Sequence, residues 1–513
     1  MRQLTIRLTA AGVSLASVLA ATSAVKVFFD RPGESALKML PADATMAMSI
    51  DLVPGPSQLM AFHKIDAMLK KAGDQDVVAQ IFGQICNDPK LGKLIGPYVG
   101  KSGAIAIFTH GNMISPGSIN GLALVSLTDP EAAIKAFKSG LTLDAKGNYS
   151  TPQKWISRIS GQYLEVASKP EYFDKLDAVS EGKAKSFTAV SGFAKAKAML
   201  EPEANIKCFS HDSNKWGFVT GSIEDSGLRI VARNMGHGAA QADVKPLSQA
   251  CLSKIPSGPY ALINVAQPSN LLGALTKSAG KYEDSITSAF KGNLVLGVYP
   301  SEKSPRAGLD LMILADSEHG AKPATQFKTL LKQLQKQLTN GEPLFGKAKR
   351  LAGAKYYTVG GQVGGMLQQF MGSNSKSVSS DRLLKGKTVA YATRGESLYL
   401  CTSETMMRKC LLTAAGDSPS VARDTTFGAL KDAFVSKSQF AIGLSMDRII
   451  EGVVNSAPRG NQGVKDAASA MQVATHKGSI VLLSSGFDKD GSMHGRFFLP
   501  LNYSKLGEML SKH

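Results

Sequence analysis

The order of predicted secondary-structure elements repeats along this chain, and this repetition constrains the fold more than any other feature. Leu40-Pro41-Ala42-Asp43 precedes an alternating run of apolar and polar residues, Met46–Asp51, which predicts a strand. Ile255-Pro256-Ser257-Gly258 precedes a similar run at residues 260–265. The next predicted strands are residues 104–108 in the first half and residues 294–299 in the second. A repeat at such long spacing indicates one supersecondary unit present twice.

The third predicted strand matches best between the two halves. Its copies are residues 121–129 and 308–316, and the helical patterns that follow contain Phe137-Lys138 and Phe327-Lys328. In the first copy, Asp129 is placed to cap its helix. Pro130 suits the first helical position, because no N–H donor is needed there.

Four further elements follow in the same order in both halves, and each half then ends with a hairpin-like pair of strands. In the first half the four are residues 161–168, 171–178, 193–200 and 206–210; in the second they are 396–403, 404–413, 427–434 and 440–445. The turns of the two hairpins are Glu224-Asp225-Ser226-Gly227 and Asp488-Lys489-Asp490-Gly491. Asp and Gly supply the conformations that tight turns require.

We therefore expect an α+β fold made of two tandem related units, residues 38–235 and 254–502. Each would be a mostly antiparallel sheet covered by helices, since alternating strands are typical of sheets with one covered face. The 513 residues suffice for two such cores. A single large α+β domain without duplication is the alternative. Residues 360–380, rich in Gly and Ser, are either a mobile flap or a disordered insertion.

Residues 1–24 have the three parts of a secretory signal peptide. Arg2 and Arg7 form a basic leader, residues 8–21 are uncharged and largely apolar, and small residues follow up to Ala24. Cleavage is expected after Ala24, with Ala20 as an alternative. An uncleaved membrane anchor and a buried N-terminal helix of a cytosolic protein are the other interpretations, since residues 8–25 barely reach the length of a bilayer span.

The motifs of common enzyme classes are missing from the sequence. Two segments, Gly100-Lys101-Ser102 and Gly386-Lys387-Thr388, lack the first glycine of a phosphate-binding loop, because Ile95 and Asp381 occupy that position. Neither a G-x-S-x-G nor an H-E-x-x-H pattern occurs. Asp310 is expected to be a solvent-facing carboxylate on a strand.

Histidine and cysteine spacing predicts no catalytic residue, cofactor site or metal site. The eight histidines are His63, His110, His211, His237, His319, His476, His494 and His513, and none lies three or four residues from another. His211-Asp212 is expected in a solvated loop. Cys401 and Cys410 are nine residues apart, and a disulfide between them is left open. The other cysteines, Cys86, Cys208 and Cys251, are interpreted as small buried side chains.

The chain is basic, with 59 Lys and Arg against 41 Asp and Glu and a formal net charge of +18. Lys328, Lys332 and Lys336 fall on one stripe of a predicted helix. A solvated helix face explains this stripe by itself, and contact with anionic envelope polymers or lipid headgroups is the functional alternative. Nucleic acid is not expected as a partner, because only 7% of residues are aromatic and no recognition module is visible.

The Leu40-Pro41-Ala42-Asp43 segment, with a strand ending at Asp51-Leu52 and then Pro54, resembles the start of an uncharacterised bacterial family of exported proteins with a domain of unknown function. The tracts 163–168 and 399–403 are similar to the middle section of that family. The chain departs from the pattern at Ala44, where threonine is usual. The resemblance implies export and an α+β architecture, and it supplies no catalytic residues.

Together these observations predict an exported, envelope-associated, non-enzymatic protein that acts as a binding or structural module. Membrane contact is expected only through the N-terminus, if it is uncleaved. The alternatives are an envelope hydrolase whose site is assembled only in the fold, and a membrane-anchored component of an assembly.

Overall fold

The structure is a computed structural model. It describes residues 33–51, 58–71, 88–108, 120–152, 154–200, 204–212, 215–235, 247–266, 292–301, 308–317, 322–338, 345–358, 389–427, 438–456, 475, 478–487 and 492–505. The predicted signal peptide and residues 360–380 lie outside the described residues, as do all residues but the first of the helix expected at 427–434. The chain divides into two compact units, one of Met1–Gly238 with Ser492–Arg496 and Leu501–His513, the other of Ala239–Gly491 with Phe497–Pro500.

The described strands of the first unit pair in antiparallel fashion and are two to ten residues long. They are β1 (Met46–Asp51), β2 (Val99–Phe108), β3 (Asn120–Leu127), β4 (Tyr149–Ser150), β5 (Ile156–Ser160), β6 (Tyr163–Ala167), β7 (Ile206–Asp212), β8 (Lys215–Glu224) and β9 (Gly227–Asn234). Their spatial order is β4-β5-β6-β3-β2-β1-β7-β8-β9. The expected β8–β9 hairpin forms, with Glu224 paired to Gly227.

Six described helices accompany this sheet. They are α1 (Gly33–Met39), α2 (Leu59–Lys71), α3 (Pro89–Ile95), α4 (Pro130–Gly140), α5 (Glu171–Ser180) and α6 (Phe193–Ala198). The α4 cap is confirmed, because the Asp129 side chain accepts a hydrogen bond from Ala132 N at 2.9 Å and Pro130 occupies the first turn. Helices α1, α5 and α6 pack in one apolar cluster, while α3 and α4 pack in another.

The expectation that helices cover only one face of the sheet is wrong for the first unit. All five residues of β6 are buried. Tyr163 belongs to the cluster under α5, whereas Leu164 belongs to the cluster under α3 and α4. Successive side chains of a strand point to opposite faces, so both faces of β6 are covered.

The described strands of the second unit also pair in antiparallel fashion. Its strands are β10 (Ala261–Ala266), β11 (Asn293–Pro300), β12 (Leu309–Ala315), β13 (Lys349–Leu351), β14 (Ala354–Thr358), β15 (Ala390–Arg394), β16 (Ser397–Cys401), β17 (Phe440–Ser445), β18 (Ile480–Phe487) and β19 (Met493–Pro500), the last of which is divided between the units. The registers place β10 to β18 in the order β13-β14-β15-β16-β12-β11-β10-β17-β18, with antiparallel neighbours throughout.

Three described helices belong to the second unit: α7 (Pro323–Leu338), α8 (Glu404–Ala415) and α9 (Met446–Ser456). Helix α8 begins where Ser403 accepts a hydrogen bond from Met406 N, and it ends at Gly416 in the left-handed conformation. Helix α8 packs in the larger apolar cluster of the unit, and Phe327 of α7 packs in a smaller one. The α+β class and the antiparallel sheet are therefore confirmed. Among the described residues, no helix combines the length and apolar character needed to cross a bilayer.

Candidate functional site

Helix α7 presents a lysine face at its surface. Lys328, Lys332 and Lys336 are all exposed, as the i, i+4, i+8 spacing predicts. The sixteen residues of the helix include no acidic side chain. Successive lysines are about 6 Å apart along the axis, because a helix rises about 1.5 Å per residue. Within the described residues none of the three ammonium groups has an ion-pair partner, so the face carries a line of three uncompensated charges.

The opposite side of α7 anchors the helix to the sheet. Ala324 and Leu330 are buried, and Phe327 meets the Tyr391 ring edge-on with centroids 5.4 Å apart. Tyr391 in turn stacks on Tyr357 at 4.9 Å. Burial raises the pKa of Tyr391 to about 12, so this aromatic support stays neutral at physiological pH.

A loop residue of the sheet holds the first turn of α7. The Glu396 backbone oxygen accepts a hydrogen bond from Ala324 N at 2.9 Å, and the Glu396 carboxylate accepts bonds from Thr325 N and Thr325 Oγ1. The first four N–H groups of a helix have no partner within it, so these bonds satisfy donors that would otherwise need water. The lysine face is thereby fixed in orientation relative to β16.

The residue after Glu396 belongs to a buried polar group that we call the Asp316 cluster, consisting of Lys254, Asp316, Ser317 and Ser397. Oδ1 of Asp316 accepts hydrogen bonds from Lys254 Nζ at 2.6 Å, Ser397 Oγ at 2.8 Å and Ser317 N at 2.8 Å. The two serine hydroxyls lie 3.3 Å apart. The Asp316 side chain is 0% exposed and that of Lys254 is 30% exposed, so the cluster meets solvent through the lysine.

The chemistry of the Asp316 cluster is that of a compensated buried charge. A buried carboxylate needs a counter-ion and hydrogen-bond donors, and Lys254 with the two serines supplies both. A carboxylate, a lysine and a serine in hydrogen-bond contact are also components of hydrolytic sites. Ser397 is only 4% exposed, however, and a nucleophile must touch its substrate. The arrangement therefore favours a role in anchoring the sheet end that holds α7.

Sequence reasoning missed the Asp316 cluster. Asp316 was matched to Asp129, and Asp129 does cap a helix, whereas Asp316 binds Lys254 from 62 residues upstream. No local spacing indicates a bond between such distant residues. The contact joins the last residue of the 3₁₀ helix Gln249–Lys254 to the residue that follows β12.

The expectation that His211 lies in a solvated loop is wrong, because the residue lies on a strand and is half-buried. His211 lies on β7, with its ring centroid 5.1 Å from that of Trp216 and 5.5 Å from that of Phe187. Its Nε2 atom is buried and makes no hydrogen bond among the described residues. Strand β7 extends two residues beyond its expected end, which places this ring in the aromatic cluster.

The expectation of a solvent-facing Asp310 is also wrong, since the residue is 3% exposed. Asp310 shares its face of β12 with the buried residues Met312 and Leu314. Residues on both sides of Asp310 are leucines, so the sequence did not show which face is covered. The period of two along the strand then decides that Asp310 is inside.

The remaining sequence candidates do not converge on one site. His63 is exposed on α2, His494 is buried on β19, and the other five histidines apart from His211 lie outside the described residues. No group of three or more His, Cys, Asp or Glu side chains in the described part of the chain could hold a metal ion. Cys251, Cys401 and Cys410 are buried thiols.

Comparisons of the chain with protein-family models, with curated proteins and with solved structures find no match. The lysine face of α7 and the Asp316 cluster are therefore interpreted from their own geometry and charge.

Proposed function

We propose that this chain is an exported, envelope-associated, non-enzymatic binding protein built from two related copies of one α+β unit. Its second copy would bind a phosphate-bearing polyanion through the lysine face of α7. The observation that carries this proposal is the line of three exposed lysines, none of which forms an ion pair with a described residue, on a helix without acidic residues. We propose further that the chain belongs with the uncharacterised exported bacterial proteins that its Leu40-Pro41-Ala42-Asp43 segment resembles.

The strand order supports a duplication. The first eight strands of the first unit have the spatial order β4-β5-β6-β3-β2-β1-β7-β8. In the second unit the order β14-β15-β16-β12-β11-β10-β17-β18 has the same connections. A helix follows the third strand in each unit, and another follows the strand paired to it. Many antiparallel orders satisfy the rules of sheet topology, so an identical order favours common descent of the two units.

The segments before β1 and β10 make equivalent contacts, which is a second line of support. Pro41 forms an isolated bridge with Ser186, and Pro256 forms one with Ser420. Phe187 N donates to Leu40 O at 2.7 Å, and the corresponding bond of the second unit is Val421 N to Ile255 O at 2.8 Å. Ala42 N donates to Lys185 O at 3.1 Å, and the corresponding bond is Ser257 N to Pro419 O, also at 3.1 Å. The repeated sequence pattern at Leu40 and Ile255 thus accompanies a repeated local structure.

A hydroxyl contact between strands is also repeated. Gly121 N donates to Ser168 Oγ at 3.0 Å, and Ser168 N donates back to Gly121 O at 2.9 Å. In the second unit Leu311 N donates to Thr402 Oγ1 at 2.8 Å, and Thr402 N donates to Leu311 O at 3.0 Å. Serine and threonine provide the same hydroxyl, so the two positions are chemically equivalent.

The charge of α7 supports a polyanion as the partner. Lysine is a compact point charge that binds phosphate without a fixed geometry. Three such charges in a line match repeated phosphates better than a single small anion. Each lysine near an anionic surface contributes about 1 kcal/mol at physiological ionic strength, so the face should contribute about 3 kcal/mol.

Binding to vesicles tests this proposal. We expect the full chain to bind phosphatidylglycerol-containing vesicles more tightly than phosphatidylcholine vesicles, with the difference falling at high salt. The triple variant Lys328→Gln, Lys332→Gln and Lys336→Gln should bind roughly 150-fold more weakly.

The matched control carries the same loss of charge at three exposed lysines of the first unit, Lys135→Gln, Lys138→Gln and Lys195→Gln. Equal weakening of the two triple variants would show that net charge rather than the α7 face is responsible, and would refute the assignment. Soluble polyphosphate is then added as a competitor. Loss of vesicle binding would indicate a phosphate-bearing polymer as the partner, whereas unchanged vesicle binding would indicate a lipid surface.

Export is tested by the N-terminus of the native protein, determined by mass spectrometry on separated soluble and membrane fractions. A start near Val25 in the exported soluble fraction is the expected result. An intact Met1 in the membrane fraction would instead make the chain an anchored component of an assembly. An intact Met1 in the cytoplasm would refute export.

A second candidate function, an envelope hydrolase, is favoured by one observation, the hydrogen bond from Ser397 Oγ to Asp316 beside Lys254. A fluorophosphonate probe would label Ser397 in a serine hydrolase of this kind. If the native chain is labelled and the Ser397→Ala variant is not, the chain is a serine hydrolase and the proposal of a non-enzymatic binding protein is overturned. Absence of labelling on the native, exported chain is the result that the burial of Ser397 leads us to expect.

A further inference from the structure

Two thiols of the second unit lie side by side in its core. Cys401 is the last residue of β16, and Cys410 lies in the second turn of α8, which packs over that strand. Their Sγ atoms are 3.7 Å apart, and both residues are buried. The segment from Cys401 to Cys410 turns from strand to helix at Ser403, whose side-chain hydrogen bond to Met406 N fixes the start of the helix. The two sulfur atoms are thus held together by well-defined elements.

We propose that Cys401 and Cys410 form an intramolecular disulfide when the chain folds in an oxidising compartment. The inference rests on the export part of the proposed function. The oxidant is a disulfide, either a small molecule or a dithiol oxidase in its oxidised form. The thiolate of one cysteine attacks a sulfur of that disulfide and releases one thiolate of the oxidant, which leaves a mixed disulfide. The thiolate of the other cysteine then attacks the protein sulfur of the mixed disulfide and releases the second thiolate of the oxidant. The Cys401–Cys410 bond forms with loss of two electrons and two protons, and the oxidant is reduced to two thiols.

The surroundings of the pair indicate when the reaction takes place. Met407 and Leu411 of α8 and Tyr399 of β16 are buried in the same apolar cluster as both cysteines. Burial raises the pKa of the Cys401 thiol well above its usual range, and the neighbouring Cys410 adds to this effect. The thiolate is the reactive species, so exchange is slow once the core has closed. The bond is therefore expected to form while the second unit folds, and to resist reduction afterwards.

Two other described cysteines serve as internal controls. Cys251 donates from Sγ to Ser248 O at 2.9 Å and receives a hydrogen bond from Asn264 Nδ2. Cys208 lies on β7 in the first unit, and burial raises its pKa to about 12. Both are free thiols in the described part of the chain, so both should remain thiols after oxidative folding.

Peptide mapping of the full chain tests the proposal without any variant. The denatured chain is refolded with a mixture of oxidised and reduced glutathione, and remaining thiols are alkylated in denaturant before tryptic digestion. Cleavage after Arg394, Arg408, Lys409 and Arg423 releases Cys401 in peptide 395–408 and Cys410 in peptide 410–423. We expect these two peptides to be linked before reduction and separate after it, with Cys208 and Cys251 alkylated.

Refolding in glutathione does not depend on export, so the two proposals fail separately. Alkylated Cys401 and Cys410 after refolding would overturn the disulfide, whatever the native location of the protein. The peptides could instead be linked after refolding while the native protein has an intact Met1 and alkylated thiols. That result would overturn export but would support the disulfide proposal.

Stability provides a second measurement. Reduction should lower the thermal midpoint of the second unit by roughly 5 °C, because the bond closes a ten-residue loop. The Cys401→Ser and Cys410→Ser variants should lose this sensitivity to reductant, and Cys208→Ser should keep it. An equal response to reductant in all three variants would contradict the assignment.

Discussion

The buried ion pair of Arg158 and Glu165 provides the sharpest test of the first unit. Arg158 Nε donates to Glu165 Oε2 at 2.6 Å, and its terminal nitrogens donate to both carboxylate oxygens of Asp177 at 2.6 and 3.1 Å. The guanidinium also lies over the Phe173 ring at 4.5 Å. The side chain of Glu165 is 2% exposed, that of Arg158 21% and that of Asp177 47%. In the Arg158→Met variant, Asp177 is hydrated and Glu165 is left as a buried carboxylate without its counter-ion.

The expected loss of stability follows from these exposures. Removing one partner of a buried pair costs about 3–5 kcal/mol, and the partial exposure of Arg158 favours the lower end of that range. The loss is also limited by protonation of Glu165. Relative to an ordinary glutamate pKa of about 4.3, protonation costs about 3.7 kcal/mol at pH 7 and about 1 kcal/mol at pH 5. We expect Arg158→Met to lose about 3 kcal/mol of unfolding free energy at pH 7 and about 1 kcal/mol at pH 5.

The sign of the pH dependence follows from linkage. Burial already raises the pKa of Glu165, although Arg158 opposes this shift. A carboxyl group with a raised folded-state pKa binds more protons in the folded chain than in the unfolded chain. Its contribution is present below the unfolded pKa and is lost as the pH rises through the folded pKa. Removal of Arg158 raises the folded-state pKa of Glu165 further. The free energy of unfolding of the variant should therefore fall more steeply than that of the native chain between pH 5 and pH 7.

Urea unfolding followed by tryptophan fluorescence measures the effect in the correct unit. The chain has two tryptophans, Trp155 and Trp216, and both belong to the first unit. The double variant Arg158→Met with Glu165→Met should recover most of the loss, because it removes both charges. The matched control is Arg229→Met, whose partner Glu224 is partly exposed, and it should cost less than about 1 kcal/mol.

The reasoning would be refuted by a loss that is equal at pH 5 and pH 7, since packing alone is insensitive to pH in this range. A double variant that is no more stable than Arg158→Met would refute it as well, because the uncompensated charge would then not be the cause.

Three further outcomes are expected. Trp216→Ala should destabilise the first unit by about 3–5 kcal/mol in urea unfolding followed by circular dichroism, because the buried indole packs in the aromatic cluster and donates to Ser191 O at 2.9 Å; a loss below 1 kcal/mol would contradict that packing. Asp129→Ala should cost about 1 kcal/mol, whereas Asp129→Asn keeps the cap; equal losses for the two variants in the same assay would show that the cap is not responsible. Burial would raise the pKa of Asp424, but hydrogen bonds from Arg448, Gly258 N and Thr426 N outweigh it and lower the pKa. The stabilising contribution of the Asp424 carboxylate is therefore present above its ordinary pKa and is lost as the pH falls through the lowered pKa. Hydrogen exchange of the second unit should therefore show a large penalty for Arg448→Met at pH 6 and a smaller one near pH 3, and a penalty independent of pH would count against this pair.

Most of the fold was predictable because its signals are local. The residues of β1 and β17 were predicted to the residue, since a run of alternating side chains contains its own boundary. The start of α4 was predicted because a capping bond joins residues only three positions apart. The exposed face of α7 followed from the spacing of its lysines alone.

The candidate site was predictable only in part. The lysine stripe was recognised, but the groups that fix its support were not. Glu396 and Asp316 act on partners 71 and 62 residues away. Their roles depend on which strands become neighbours, and β12 and β16 are brought together only by the sheet.

For segments such as β1, β17 and α4, the sequence by itself determined the secondary structure, because those choices depend on side chains within a few residues of one another. Only the tertiary structure decided which face of each strand is buried and which charged groups meet. Asp310 and His211 show the first point, and the contact of Lys254 with Asp316 shows the second. The physical reason is that burial and ion pairing are properties of two surfaces in contact, and a one-residue change of register would exchange the buried and exposed faces of a strand.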